Sequence, residues 1–163
     1  MTVPLANLFK PRSFPDPVLG PLVRTRGQWR GAVALGHAQP IPLAVLGSGS
    51  QPDPAALTTA RQLSISIEAW RPTIALALHE HLVPYRDALA DEPPSARRTA
   101  LLAIERPEQV WAHVSLQAVA IIRLGGQVTA ELAYAVAWDD DHIVGARFQS
   151  NRFLELCGSI APA

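Results

Sequence analysis

A chain of 163 residues with 14 basic and 14 acidic side chains carries no formal net charge, which removes the electrostatic argument for a nucleic-acid or anionic-membrane partner. Its 48% apolar and 17% charged content is that of a globular protein, and one domain of this length buries roughly 70% of its unfolded surface, enough for a core without disulfide or metal. The single cysteine, Cys157, excludes an intrachain disulfide and a multi-cysteine zinc site, and reads as a small buried hydrophobe in a strand.

Residues 1–17 contain Pro4, Pro11, Pro15 and Pro17 and read as an extended, irregular lead-in, with Phe9 and Phe14 tucked onto the body. No continuous apolar run of signal-peptide type stands here, and no stretch approaches the roughly 20 apolar residues of a membrane span. The expectation is a cytoplasmic protein without a membrane segment, with residues 18–163 forming one domain.

From Leu22 the text is strand-like: 22–26, a turn at Gly27-Gln28 of type II′, 29–36, then 41–46 with Pro42 near an edge. Gly47 to Gln51 reads as a flexible link, and Asp53-Pro54 is a helix start, an acidic N-cap before proline at the first helical position. Leu57, Ala60, Leu63, Ile67 and Trp70 follow at helical spacing, and Arg71-Pro72 predicts the end of that helix. A second helix should begin near Pro72, carry Ile74, Leu78, Leu82, Tyr85 and Leu89 on one face, and kink or shorten at Pro84. Asp91 to Arg98 reads as a surface loop, with short helical pieces at 99–104 and 107–111.

The C-terminal third alternates at period two. A strand over 114–123 turns at Gly125-Gly126 into a run in which Val128, Ala130, Leu132, Tyr134, Val136 and Trp138 share one face. The opposite face, Thr129, Glu131, Ala133, Ala135 and Ala137, is small, so another element can pack closely over it. Two more runs, with Val144, Ala146 and Phe148 and then Leu154, Leu156 and Ile160 facing inward, follow polar turns at Asp139-Asp140-Asp141 and Ser150-Asn151. Connections this short require antiparallel neighbours. The predicted fold is therefore α+β: a mainly antiparallel sheet of three N-terminal strands and a four-stranded C-terminal meander, with two central helices on one face.

Candidate chemistry is sparse. The cluster Trp138-Asp139-Asp140-Asp141-His142, with Glu155 nearby, is the densest polar group and reads as a binding surface at a hairpin tip. If the protein were an enzyme, Asp139, Asp141 and His142 would serve a metal-assisted hydrolase. His79-Glu80-His81 lacks the three- or four-residue spacing that puts two histidines on one helical face, and His81 with Tyr85 reads as a core pair. No nucleophile elbow, phosphate loop or dinucleotide fingerprint occurs, and no cofactor is expected. Arg24, Arg26 and Arg30 beside Trp29 form the best basic patch, the basis of an RNA-binding alternative made unfavourable by the neutral charge.

Two segments, Phe14-Pro15-Asp16-Pro17-Val18-Leu19-Gly20 followed by Trp29-Arg30-Gly31, and Trp138 to Gly145 followed by Phe148, resemble a family of small bacterial α+β domains with no assigned activity. Its hairpin reads W-[DE]-x-[DE]-H-x-x-G, with Asp141 standing here for the acid before the histidine. The resemblance spans most of the chain from Phe14. Some of these domains lie beside toxin genes as immunity proteins, which implies a non-catalytic role and a protein partner, bound through Trp138 to His142 and Glu155.

Overall fold

The structure is a computed structural model and describes residues 11–161. Eight strands form one sheet in chain order: β1 (Ser13–Asp16), β2 (Gly20–Thr25), β3 (Gln28–Val33), β4 (Ile41–Val45), β5 (Val114–Leu124), β6 (Gln127–Val136), β7 (Asp139–Gln149) and β8 (Arg152–Gly158). Every neighbouring pair is antiparallel except β4 and β5, which run parallel. A parallel pair needs a long crossover, and the whole helical block between residues 54 and 113 supplies it. The α+β class and the four-stranded meander are as expected. The N-terminal block has four strands, because Ser13 to Asp16 of the proline-rich lead-in pairs with β2. Pro15 lies in that edge strand, where a missing N–H is tolerated. Phe9 lies outside the described residues; Phe14 packs edge-on against Trp29, 6.3 Å between ring centres.

The helices are α1 (Pro54–Arg61), α2 (Leu63–Asp91) and α3 (Ala96–Leu102), followed by a 3₁₀ segment at Pro107–His113. Asp53 caps α1 as its sequence predicts, its carboxylate accepting from the Ala55 and Ala56 N–H groups at 2.9 and 3.0 Å. The first helix does not run to Trp70. It breaks at Gln62, and α2 continues for 29 residues through both Pro72 and Pro84. Proline removes one backbone bond and crowds the preceding turn. Here Leu63, Trp70, Ile74, Leu78, Leu82 and Leu89 are buried on both sides of each proline, so core packing holds the axis where local chemistry would end it. Arg98, expected in a loop, lies in α3 and donates to the Leu89 and Ala90 carbonyls at 2.8 and 2.9 Å, satisfying the end of α2. The Ser48–Gln51 link is a hydrogen-bonded turn, with the Ser48 N–H 2.9 Å from the Gln51 carbonyl.

Register fixes two unlike faces. Pairs such as Trp29 with Val45, Leu43 with Val119, Leu132 with Ala146 and Ala130 with Phe148 line the face that packs on the helices. The other face carries Ala44, Ala120, Glu131, Ala133, Gly145 and Arg147, most of them too small to build a second core layer. The turn between β2 and β3 is centred on Arg26 and Gly27, both with positive φ (48° and 84°), hence type I′ rather than the expected II′. Asp16 closes the N-terminal end: it accepts from the Val18 and Leu19 N–H groups at 2.9 Å and pairs with Arg61 at 2.6 Å, tying β1 to α1.

Asp53 also pairs with Arg123 of β5 at 3.1 Å. Asp53→Ala is expected to cost about 1 kcal/mol through loss of the cap, seen as a Tm lower by roughly 2–4 °C in a thermal melt.

Candidate functional site

The acidic run is not a hairpin tip. The turn between β6 and β7 is Ala137-Trp138, and Asp139 already pairs with Val136. The next register pair is Ala135 with Ile143, so Asp140, Asp141 and His142 bulge out of the ladder. Bulges re-aim side chains, and this one sets a short polar loop at the margin of the sheet.

Two residues of α2 hold the turn. Trp138, grouped in the sequence with the exposed contacts, is 3% exposed, and its indole N–H donates to His81 Nδ1 at 3.0 Å. The Tyr85 hydroxyl donates to Asp139 Oδ2 at 2.6 Å. His81 and Tyr85 thus sit on one helical face as expected, with ring centres 5.3 Å apart, but each bonds the hairpin rather than the other. Arg97 of α3 adds a bond to the Ala137 carbonyl at 3.1 Å and a longer contact to Asp140 at 3.5 Å.

Asp139 is the hub of the bulge. Its Oδ1 meets His142 Nδ1 at 2.9 Å and accepts from the Asp141 N–H at 3.2 Å, while Tyr85 occupies Oδ2. The Tyr85 hydroxyl, followed by the His142 ring and the Asp141 N–H, outweighs desolvation and holds the Asp139 carboxyl below its ordinary value. The hydrogen bond and negative charge of Asp139 push His142 above 6.5, whereas burial pushes His81 below it. The His142 contribution to stability is therefore present below its unfolded pKa and lost as pH rises through the higher folded value. That of Asp139 is present above its unfolded pKa and lost as pH falls through the lower folded one. An NMR titration should find His142 ionising above 6.5 and His81 below it, with Asp139→Asn returning His142 toward the ordinary value.

Of the residues grouped for metal-assisted chemistry, Asp139 and His142 meet directly and Asp141 joins through its backbone. Among the described residues no group of three or more His, Cys, Asp or Glu side chains converges as a metal ion requires. The basic hairpin is dispersed: Arg24 lies over Trp29 with 5.8 Å to the ring centre, while Arg30 pairs with Val23 and points to the opposite face. Trp29 itself is fully buried and has no free ring for a base.

Asp141, His142 and Ile143 rim a depression of about 620 Å³ on the helix-free face, whose floor includes Ala118 and Ala133 and whose far wall includes Ser159. Beside it lies a buried ion cluster. Glu131 is fully buried; its Oε2 accepts from Arg147 Nε at 2.8 Å, and its Oε1 from the Ser159 hydroxyl and the Ile160 and Ala161 N–H groups at 2.7, 2.8 and 2.9 Å. Burial pushes its carboxyl up, but Ser159, Arg147 and the two backbone donors together hold it below the ordinary range. Glu155, half exposed on β8, binds the remaining side of Arg147 at 2.7 Å. The segment after β8 is thereby fastened across the helix-free face and forms one wall of the depression. Sequence alternation places Glu131 on the small face but does not reveal that it holds Ser159, Ile160 and Ala161; its standing as the one acid on that face of the strand is the available sign.

Comparison with family models, curated proteins and solved structures finds no match for this chain. No helix among the described residues is long and apolar enough to cross a membrane.

Proposed function

We propose that this chain is a non-catalytic protein that binds a macromolecular partner through the helix-free face of its sheet. The observation that carries the reading is the depression of about 620 Å³ with an alanine floor and Asp141 and His142 at its rim. A floor without large side chains admits close approach of another backbone, and the exposed carboxylates of Asp140 and Asp141 favour a basic segment. Apolar floor with charged rim is also the general anatomy of protein interfaces. The resemblance of Trp138 to Gly145 to immunity-type bacterial domains points the same way, toward a basic partner such as a nuclease toxin and a cytoplasmic setting. Trp138, Asp139 and Glu155 then support the surface from beneath or beside it, while Asp140, Asp141 and His142 meet the partner.

A second reading has its own observation. Asp139 holds His142 by Nδ1, as a carboxylate orients a general base, while the imidazole is 73% exposed. Co-purification from native cells separates the two. The binding reading expects a defined stoichiometric partner with the parent chain and its loss with the double variant Asp141→Lys, His142→Glu, which leaves the buried Asp139–Tyr85 bond in place. A partner retained by that variant, or turnover of a hydrolysable substrate that Asp139→Asn abolishes, would contradict it.

A further inference from the structure

On the opposite, helix-covered side of the sheet, where β5 begins, lies a separate cavity of about 280 Å³ between α2, the 3₁₀ segment and the sheet. Tyr134, which lines it, is only 4% exposed, and its hydroxyl has no hydrogen-bond partner among the described residues. The hydroxyl is not sealed from solvent, and with no protein hydrogen bond of its own it is available to a ligand that enters the cavity. Arg71 lies at the same cavity with its guanidinium 4.3 Å from the centre of the Trp111 ring, held in place by that stack. No carboxylate among the described residues pairs with Arg71, although its positive charge is close enough to oppose the upward push that burial gives the Tyr134 phenol. Of the remaining lining residues Ile67, Ile74, Val114 and Leu116 are apolar; His37 Nδ1 is engaged with the Leu35 carbonyl at 3.1 Å, the Ser115 hydroxyl accepts from the Gln117 amide at 2.6 Å, and no lining residue is acidic.

One planar cation beside one neutral donor matches the two oxygens of a carboxylate. A phosphate would bring more charge and more acceptor oxygens than these two groups satisfy, and a cationic ligand would find no counter-charge. We propose that this cavity binds a small organic carboxylate, its anionic group held between Arg71 and Tyr134 and its apolar body against Ile74, Leu116 and Trp111. The volume suits a one-ring or short-chain acid, at the small end of ligand pockets. The site lies on the other face from the partner surface, so it goes beyond that reading and stands or falls independently of it.

The test is a fluorine-NMR titration of the full chain with para-fluorobenzoate, its uncharged isostere para-fluorobenzamide, and hexanoate as competitor. Saturable binding of the benzoate, displaced by hexanoate, is expected, with the benzamide at least about tenfold weaker. Arg71→Gln should weaken the benzoate roughly thirtyfold and Tyr134→Phe about tenfold, whereas Asp141→Lys should leave it unchanged. Absence of saturable binding, equal binding of acid and amide, or an unchanged affinity in Arg71→Gln or Tyr134→Phe overturns the proposal. Should either variant fail to fold, the comparison of acid with amide on the parent chain still decides.

Discussion

Glu131→Ala is expected to destabilise the fold by about 3–5 kcal/mol, the usual cost of breaking a buried ion pair by removing one partner. The residue is fully buried and satisfies four donors. Its loss leaves the Arg147 cation, only 9% exposed, with Glu155 and the Gly158 carbonyl as its remaining partners, and releases the Ser159, Ile160 and Ala161 donors from their shared acceptor. Removing both charges is a different matter. Glu131→Leu combined with Arg147→Met leaves no uncompensated ion and should be clearly less damaging than Glu131→Ala, because burying two charges costs much of what their attraction returns. Urea melts of the two variants beside the parent chain check this. Equal losses in both would show that packing, and not an orphaned charge, sets the cost. The same cluster sets a direction for pH: with the Glu131 carboxyl held low, its contribution is present above the unfolded pKa and fades as pH falls through the lower folded value. Gly145 belongs to this argument. A Cβ there would stand 2.9 Å from Glu131 Cδ and 3.0 Å from Cγ, so the strand beside the buried carboxylate tolerates no side chain without displacement.

Trp70→Ala should be of similar size, about 3–5 kcal/mol. Trp70 stacks flat on Phe148 of β7, with ring centres 4.2 Å apart and planes within 7°, and Phe148 in turn meets Phe153 of β8 at 5.3 Å. The column runs from α2 through the last two strands, so truncating its first ring opens a cavity where helix and sheet meet. Trp70→Phe keeps a ring on Phe148 and also removes an indole N–H that is buried without a partner. That variant should lose under about 1.5 kcal/mol, since a smaller ring is partly offset by the relief of an unsatisfied donor. A thermal melt that ranks the two variants in the reverse order would refute this account of the helix–sheet contact.

The sheet was legible because its sequence alternates. Leu132, Tyr134, Val136, Val144, Ala146 and Phe148 all point where their parity puts them. The helical face from Leu57 to Leu89 was legible for the same reason, but its division was not: Pro72 reads locally as an end, and only burial on both sides of it keeps α2 intact. The extra strand at Ser13 to Asp16 was hidden by prolines that an edge tolerates. At the candidate site the sequence marks the residues and misplaces them. Three aspartates in a row suggest a turn, whereas Tyr85 and His81 pull Asp139 and Trp138 inward and push Asp140 to His142 out as a bulge. Those partners stand more than 50 residues away, so no local pattern announces them. The Arg71 and Tyr134 pocket was equally invisible, since neither residue belongs to a motif and only the fold brings them together.

The proposed partner surface is the helix-free face around Ala118 and Ala133. The most direct measurement is photo-cross-linking in native cells, with a benzophenone amino acid placed at exposed Gln117 on the rim of the depression or at exposed Ile65 on the outer side of α2. A discrete adduct with one other protein from position 117, and none from position 65, is the predicted result. An adduct from position 65 alone, or none from position 117, would contradict the assignment of this face.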